Sequence, residues 1–243
     1  QVGPELIYAD LRASVWPDLA GIVISKIESP QQMEEAHQLL EQLEEERGLL
    51  PKSLEIVAAL ETAQGNHQGY EIAVASPRVW GMTLGRADLV MDLRSEPSGE
   101  IHLMQYLMQR LITLSNAAGV VPLGAWWRDP DRGLLAKPEN TYTAGFRGRA
   151  IGFKGSMCIN AEQVGPLNQA FTPTDFEVSA AGSLLEAYRE GVSQGMAVVK
   201  WDERLIDRGT AAQAQSLIDL GVNCTLRDES KEAAFEGKPV PAP

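Results

Sequence analysis

Residues 54–88 read LEIVAALETAQGNHQGYEIAVASPRVWGMTLGRAD. Two apolar runs, Leu54–Leu60 and Val79–Leu84, stand near its ends. Both are short, carry little polar alternation and are bounded by turn signals, so both read as strands buried on two faces. Between them Gly69–Ala75 reads as a short helix, stopped near Ser76-Pro77 because the residue before a proline avoids helical backbone. A strand, a helix and a strand in succession form a parallel crossover unit. An acid follows each strand: Glu61 directly, and Asp88 after Gly85-Arg86-Ala87.

The same alternation extends outward in both directions. Leu19–Lys26 reads as an earlier strand. Ser29 can then cap a helix, with Pro30 at its first position and Gln32 closing a capping box. Met33, Ala36, Leu40 and Leu43 mark the buried face of that helix, and Glu41, Glu44, Glu45 and Glu46 its solvated face. Ile101–Ala118 is amphipathic with Gly119 as its stop, Val120–Ala125 reads as a fourth strand, and Ser156–Asn160 as a fifth after a helix over Thr141–Ile151. Trp126–Asn140 is an irregular loop holding an acidic pair, Asp129 and Asp131.

Beyond it, Ala161–Ala170 reads as helical. Thr174 and Glu177 form a second capping box that opens a helix to about Arg189. Met196–Lys200 reads as a hairpin arm, and Thr210–Leu220 as a last helix stopped by Gly221. The tail from Asp228 is charged, and its proline-rich end is expected to be disordered. The class is α/β: a parallel sheet covered by helices. A doubly wound sheet and an α/β barrel both fit, and neither GxGxxG nor a Walker-type GK[ST] is present.

Composition narrows the function. With 21 Lys+Arg against 33 Asp+Glu the net charge is −12, the opposite of a polyanion binder, so nucleic acid is not the expected partner. No apolar run reaches the ~18 residues of a membrane span. The two cysteines, Cys158 and Cys224, cannot build a disulfide framework and read as free thiols of a cytoplasmic protein, with Cys158 a small core residue. Three histidines make a zinc site improbable.

Glu61 and Asp88 carry the chemistry most readily. Carboxylates at the carboxyl ends of neighbouring parallel strands can converge on one cation, and without His or Cys nearby they favour a hard ion, Mg²⁺ first. The competing reading makes them helix N-terminal acids that complement the dipole. Lys26 and Glu28 also end a strand, as a rim ion pair, a capping cluster or substrate contacts. Arg78 and Arg86 flank the third strand, and either could hold a substrate carboxylate or pair with an acid. Asp207 reads as a helix cap before Thr210.

Several blocks stand in order along the chain: Lys26-Ile27-Glu28-Ser29, Ala59-Leu60-Glu61-Thr62-Ala63-Gln64-Gly65, Ala75-Ser76-Pro77-Arg78-Val79, and Gly85-Arg86-Ala87-Asp88-Leu89 with Asp92-Leu93. Gly152-Phe153-Lys154-Gly155, Gln163-Val164, Asn168-Gln169-Ala170-Phe171-Thr172-Pro173 and Leu205-Ile206-Asp207 follow. Together they resemble the HpcH/HpaI aldolase/citrate lyase family, in its citrate lyase beta subunit-like branch of CoA-ester lyases. The resemblance implies a (β/α)8 TIM barrel of the phosphoenolpyruvate/pyruvate type with Glu61 and Asp88 as ligands of Mg²⁺. It implies cleavage of a citryl-, malyl- or citramalyl-CoA type ester to an acyl-CoA and an oxo acid. It also implies Asp207 as acid/base reaching the site of a neighbouring subunit in a trimer or hexamer. Arg86 is a weaker catalytic candidate, and Lys26, Glu28 and Arg78 are substrate-contact candidates. Arg147, Arg149 and Lys154 are candidate partners for CoA phosphates.

The chain departs from that pattern at Ile159-Asn160-Ala161, where relatives usually carry Ile-His-Pro, at Ser25 before Lys26, where they carry proline, and at Gly124, where an Asp is common. The five strands match the family's fourth to eighth. The first three would need roughly 80–90 further residues, and Gln1 as the first residue agrees with a fragment. The expected organisation is a partial barrel over residues 1–165, a C-terminal helical extension or lid over 166–225 and a flexible tail over 226–243. A class II 2-oxo acid aldolase, a malyl-CoA-type thioesterase and a non-catalytic scaffold are the alternative functions.

Overall fold

The computed structural model describes residues 4–94, 100–127 and 136–238. The Asp129/Asp131 pair and the proline-rich end lie outside the described residues. The chain divides into two compact units, residues 1–168 and 169–243.

The first unit runs α1 (Pro4–Ser14), β1 (Gly21–Ser25), α2 (Pro30–Glu46), β2 (Glu55–Leu60), α3 (Ala63–His67), α4 (Gly69–Val74), β3 (Val79–Leu84), α5 (Arg86–Asp92), α6 (Glu100–Ala118), β4 (Val121–Leu123) and α7 (Pro138–Ile151). The four strands form one parallel sheet in the order β1-β2-β3-β4. Each connection steps to the next strand, so strand order never reverses, as it must in a doubly wound sheet. Ile24, Ala58 and Met82 stand in register and are all buried. α4 and α6 pack on the strands, and α2 packs on α4. Val23, Val57, Gly81 and Val121 stand in register on the opposite face, where Val23 is 48% exposed.

Local chemistry explains the element ends. The Ser29 hydroxyl accepts from the Gln32 N–H at 3.2 Å, and Pro30 opens α2. The Gln32 side chain closes the cap one residue early, accepting from the Glu28 N–H at 2.8 Å. Met33, Ala36, Leu40 and Leu43 are buried, each large one stabilising the fold by roughly 1.5–3 kcal/mol.

α8 (Val164–Phe171) crosses the boundary between the units. The second unit then holds α9 (Asp175–Ser193), an antiparallel hairpin of β5 (Val199–Trp201) and β6 (Arg204–Ile206), and α10 (Arg208–Phe235). α9 starts with the full Thr174/Glu177 capping box. α9 and α10 pack through Ala181, Leu185, Ala211 and Ala214.

Five expectations are corrected. Ser156–Asn160 is not a strand. Pairing beside β4 is confined to Lys154 and Gly155, through the Leu123–Gly155 bridge, and β4 is too short to carry it further. Met157 and Ile159 are therefore exposed, and so is Cys158, which is not a core residue. Gly221 does not stop the last helix. A Cβ there would lie 2.9 Å from Val178 Cγ2, so the glycine permits close packing of α10 on α9 and the helix continues. Residues 226–235, expected as flexible tail, belong to that helix. Glu44 is not on a solvated face but 2% exposed. Its carboxylate accepts from both Nη atoms of Arg78 at 2.7 Å and from the Lys52 and Leu54 N–H groups.

A carboxylate pair at the carboxyl end of the sheet

Three adjacent parallel strands end in ionisable residues at one edge. Lys26 follows β1, Glu61 follows β2, and Asp88 lies in the first turn of α5, after β3. Two hydrogen bonds stitch the loops together. The Gly85 N–H donates to the Leu60 carbonyl at 3.2 Å, and the Ala63 N–H donates to Asp92 Oδ2 at 2.6 Å. Asp92 closes the α5 that Asp88 opens, so it ties the segment after Glu61 to the helix bearing Asp88. The Thr62 hydroxyl accepts from the Gly65 N–H at 3.1 Å and starts α3 just past Glu61.

Gly85 makes the cradle. A Cβ there would lie 2.2 Å from Glu61 Cγ and 2.3 Å from Oε1, so the Glu61 side chain lies across bare backbone. Lys26 has a left-handed backbone, φ 55°, which sets its side chain at the strand end. Its Nζ stands 2.8 Å from Asp88 Oδ1.

The electrostatics follow from this packing. Burial pushes the Glu61 carboxyl above its usual range, the Asp88 charge pushes it further, and Lys26 offsets part of the shift. The hydrogen bond to Asp88 raises the Lys26 ammonium against the cost of its burial, with the charges of Asp88 and Glu61 adding. Two carboxylates coupled through their charges, with one ammonium paired to Asp88, form a site that gains from a further cation. Among the described residues no group of three or more His, Cys, Asp or Glu could hold a metal. Two oxygen ligands, with the rest of the shell left to water and substrate, suit Mg²⁺ rather than zinc. Asp92→Asn, which weakens the clasp without touching either carboxylate, is expected to lower Mg²⁺ affinity about tenfold or more; a Mg²⁺ titration followed by calorimetry checks it.

The other expected site residues divide. Arg86 lies at the start of α5, its Nη1 3.5 Å from the Trp127 carbonyl, beside the pair. Glu28 contributes its backbone N–H to the α2 cap, while Lys26 pairs with Asp88 instead of with Glu28. Arg78 stands apart from the pair. It precedes β3, at the opposite end of the strand from Asp88, and is buried against Glu44. Asp207 lies in the second unit as the N-cap of α10, accepting from the Thr210 N–H and hydroxyl at 2.8 and 2.9 Å. These two bonds hold its carboxyl below the usual range. Asp92 and Gly85 escape sequence reasoning as site residues; the four-residue spacing of Asp88 and Asp92 on one helix is the signal that could have found the first.

Fold and site thus define an α/β protein with a paired-carboxylate site at the carboxyl end of its parallel sheet. The chain belongs to the HpcH/HpaI aldolase/citrate lyase family, whose sequence pattern matches residues 1–161. The citrate lyase subunit beta of Leuconostoc mesenteroides subsp. cremoris is 26% identical over 211 residues, 87% of this chain and 68% of that protein. A citrate lyase structure from Burkholderia xenovorans LB400 superposes with a TM-score of 0.73 at 19% identity, covering 98% of this chain and 70% of the other. The CitE protein of Mycobacterium tuberculosis in complex with magnesium, acetoacetate and coenzyme A gives 0.66 at 21% identity, covering 84% and 68%. At these identities the two structures establish the fold. No helix among the described residues is long and apolar enough to cross a membrane.

Proposed function

We propose that the protein is a Mg²⁺-dependent carbon–carbon lyase that cleaves a 3-hydroxyacyl-CoA ester of the citryl, malyl or citramalyl type into an acyl-CoA and an oxo acid. The observation that carries this reading is the convergence of Glu61 and Asp88, with Lys26, at the ends of three adjacent parallel strands. Membership in a family whose relatives are lyases supports the reaction class. The sheet is one arc of a (β/α)8 barrel, a reading supported by the unreversed strand order and the half-exposed Val23 face.

Glu61 and Asp88 would hold Mg²⁺, which when bound would supply Lewis-acid polarisation of the oxygens on the oxo-acid half of the substrate. Lys26 turns from Asp88 to the carboxylate of the oxo-acid half and orients it. Asp207 of a neighbouring subunit, held ionised by its cap bonds, takes the proton of the substrate 3-hydroxyl. The C2–C3 bond then breaks, its electron pair remaining on C2 of the acyl-CoA enolate while C3 becomes the oxo-acid carbonyl carbon. C2 of the enolate takes that proton back from Asp207, which completes the acyl-CoA and restores the carboxylate. This role for Asp207 requires a homo-oligomer, a trimer or hexamer.

The test is incubation with citryl-, malyl- and citramalyl-CoA, each with Mg²⁺ or EDTA, measuring oxo acid, acyl-CoA and free CoA. Mg²⁺-dependent release of oxo acid and acyl-CoA in equal amounts is expected. Free CoA without oxo acid would mean hydrolysis instead, and no turnover by folded, Mg²⁺-binding protein would contradict the lyase reading.

A further inference from the structure

A cavity of about 630 Å³ opens directly beside Asp88. It runs between β3, α5, α6, β4 and the segment after Phe153. Gly85, Arg86 and Asp88 form its polar end. The rest is apolar. Met104, Met108 and Phe153 are buried in its wall, while Met157 and Ile159 stand at its rim, 48% and 63% exposed.

The wall is built by packing that leaves no place for a polar group at the end of β4. A Cβ on Gly124 would lie 2.6 Å from Phe153 Cζ, so the ring occupies the space into which any side chain at 124 would project. The volume lies within the roughly 300–1,000 Å³ of sites that enclose drug-sized ligands. Substrate halves as small as acetate and glyoxylate would leave most of it filled with water against apolar walls. Thioether side chains are deformable and suit a flexible aliphatic partner better than a rigid or charged one.

We infer that this site prefers, among esters of that type, one carrying in addition an aliphatic substituent of at least four carbons next to the bond that breaks, and that the chain lies in this cavity. The inference rests on Glu61 and Asp88 marking the reacting centre. The substituent belongs to either half of the substrate, at C2 of the acyl-CoA or on the oxo-acid carbonyl carbon, and the two sources are separable by experiment.

Binding is measured by calorimetry on the Mg²⁺-loaded protein. One arm compares hexanoyl-CoA with acetyl-CoA, the other 2-oxooctanoate with pyruvate. Each buried methylene is worth about fourfold in affinity, so the longer member of one pair is expected to bind at least about tenfold more tightly. The arm showing the gain identifies the half that carries the chain. Met157→Asp and Ile159→Asp place a charge at the exposed rim, where folding is insensitive to it, and are expected to erase most of the gain. Equal affinities within both pairs, or a gain that survives both substitutions, would overturn the inference. Binding needs no turnover, so a chain-length preference without Mg²⁺-dependent cleavage would sink the lyase reading and leave the aliphatic site standing. Cleavage of short CoA esters without a preference would do the reverse.

Discussion

Asp88→Asn is expected to lower Mg²⁺-dependent cleavage by about three orders of magnitude or more. The metal stabilises several kcal/mol of developing charge, and about 4 kcal/mol corresponds to a factor near 10³. Asparagine keeps the size of the side chain but removes the charge that a hard cation needs. It also loosens Lys26, now paired with Asp88 at 2.8 Å. That ion pair is partly exposed, so its loss costs little stability. The variant is therefore expected to fold, with a circular dichroism melt near that of the wild type, and to be inactive at saturating substrate. Activity within tenfold of wild type would remove Asp88 from the metal site.

Arg78→Ala is the largest expected effect on stability, about 3–5 kcal/mol by urea unfolding. Both partners of the Arg78–Glu44 pair are almost fully buried, and the pair ties the end of α2 to the start of β3. Arg78 also donates to the Leu54 carbonyl at 3.1 Å, just before β2, so one guanidinium joins three segments. Removing it leaves Glu44 ionised and buried. The pair also sets an acid limit. Burial alone would raise the Glu44 carboxyl, but Arg78 and the two backbone N–H bonds outweigh it and hold the carboxyl below its ordinary range. A depressed folded-state value means stability that is complete above the ordinary carboxylate range and lost as pH falls through the folded value. Arg78→Ala is thus expected to flatten the acid limb of a stability–pH curve. A loss below 1 kcal/mol would show that the pair does not hold these elements together.

Glu61 works in the opposite sense. Its raised carboxyl means that, without a cation, ionising it costs stability as pH rises through its folded value. The site is poised against the metal-free fold, as functional sites often are. Local signals were sufficient for most of the architecture. The runs before Lys26, Glu61 and Gly85 are short, apolar and closed by turn residues, and each is a strand end in the structure. The Ser29 and Thr174 caps follow from side chains a few residues apart.

What escaped was long-range. Glu44 is one acid among several on α2, and only the arrival of Arg78 from a segment far along the chain makes its burial tolerable. The clasp between Ala63 and Asp92, the bare backbone of Gly85 beneath Glu61, and the Phe153 ring over Gly124 each join parts of the chain that no short window contains. Gly221 misled because a glycine after an apolar run stops a helix as readily as it admits a neighbouring one; Val178, on a different helix, decides between the two.

Glu61 and Asp88 together are expected to hold a divalent cation. Calorimetric titration of Mg²⁺ into the protein and into Glu61→Gln tests it most directly, because it needs neither substrate nor turnover. One site in the wild type and at least a hundredfold loss of affinity in Glu61→Gln, with the fold retained, are expected. Equal Mg²⁺ binding by the two proteins would contradict it.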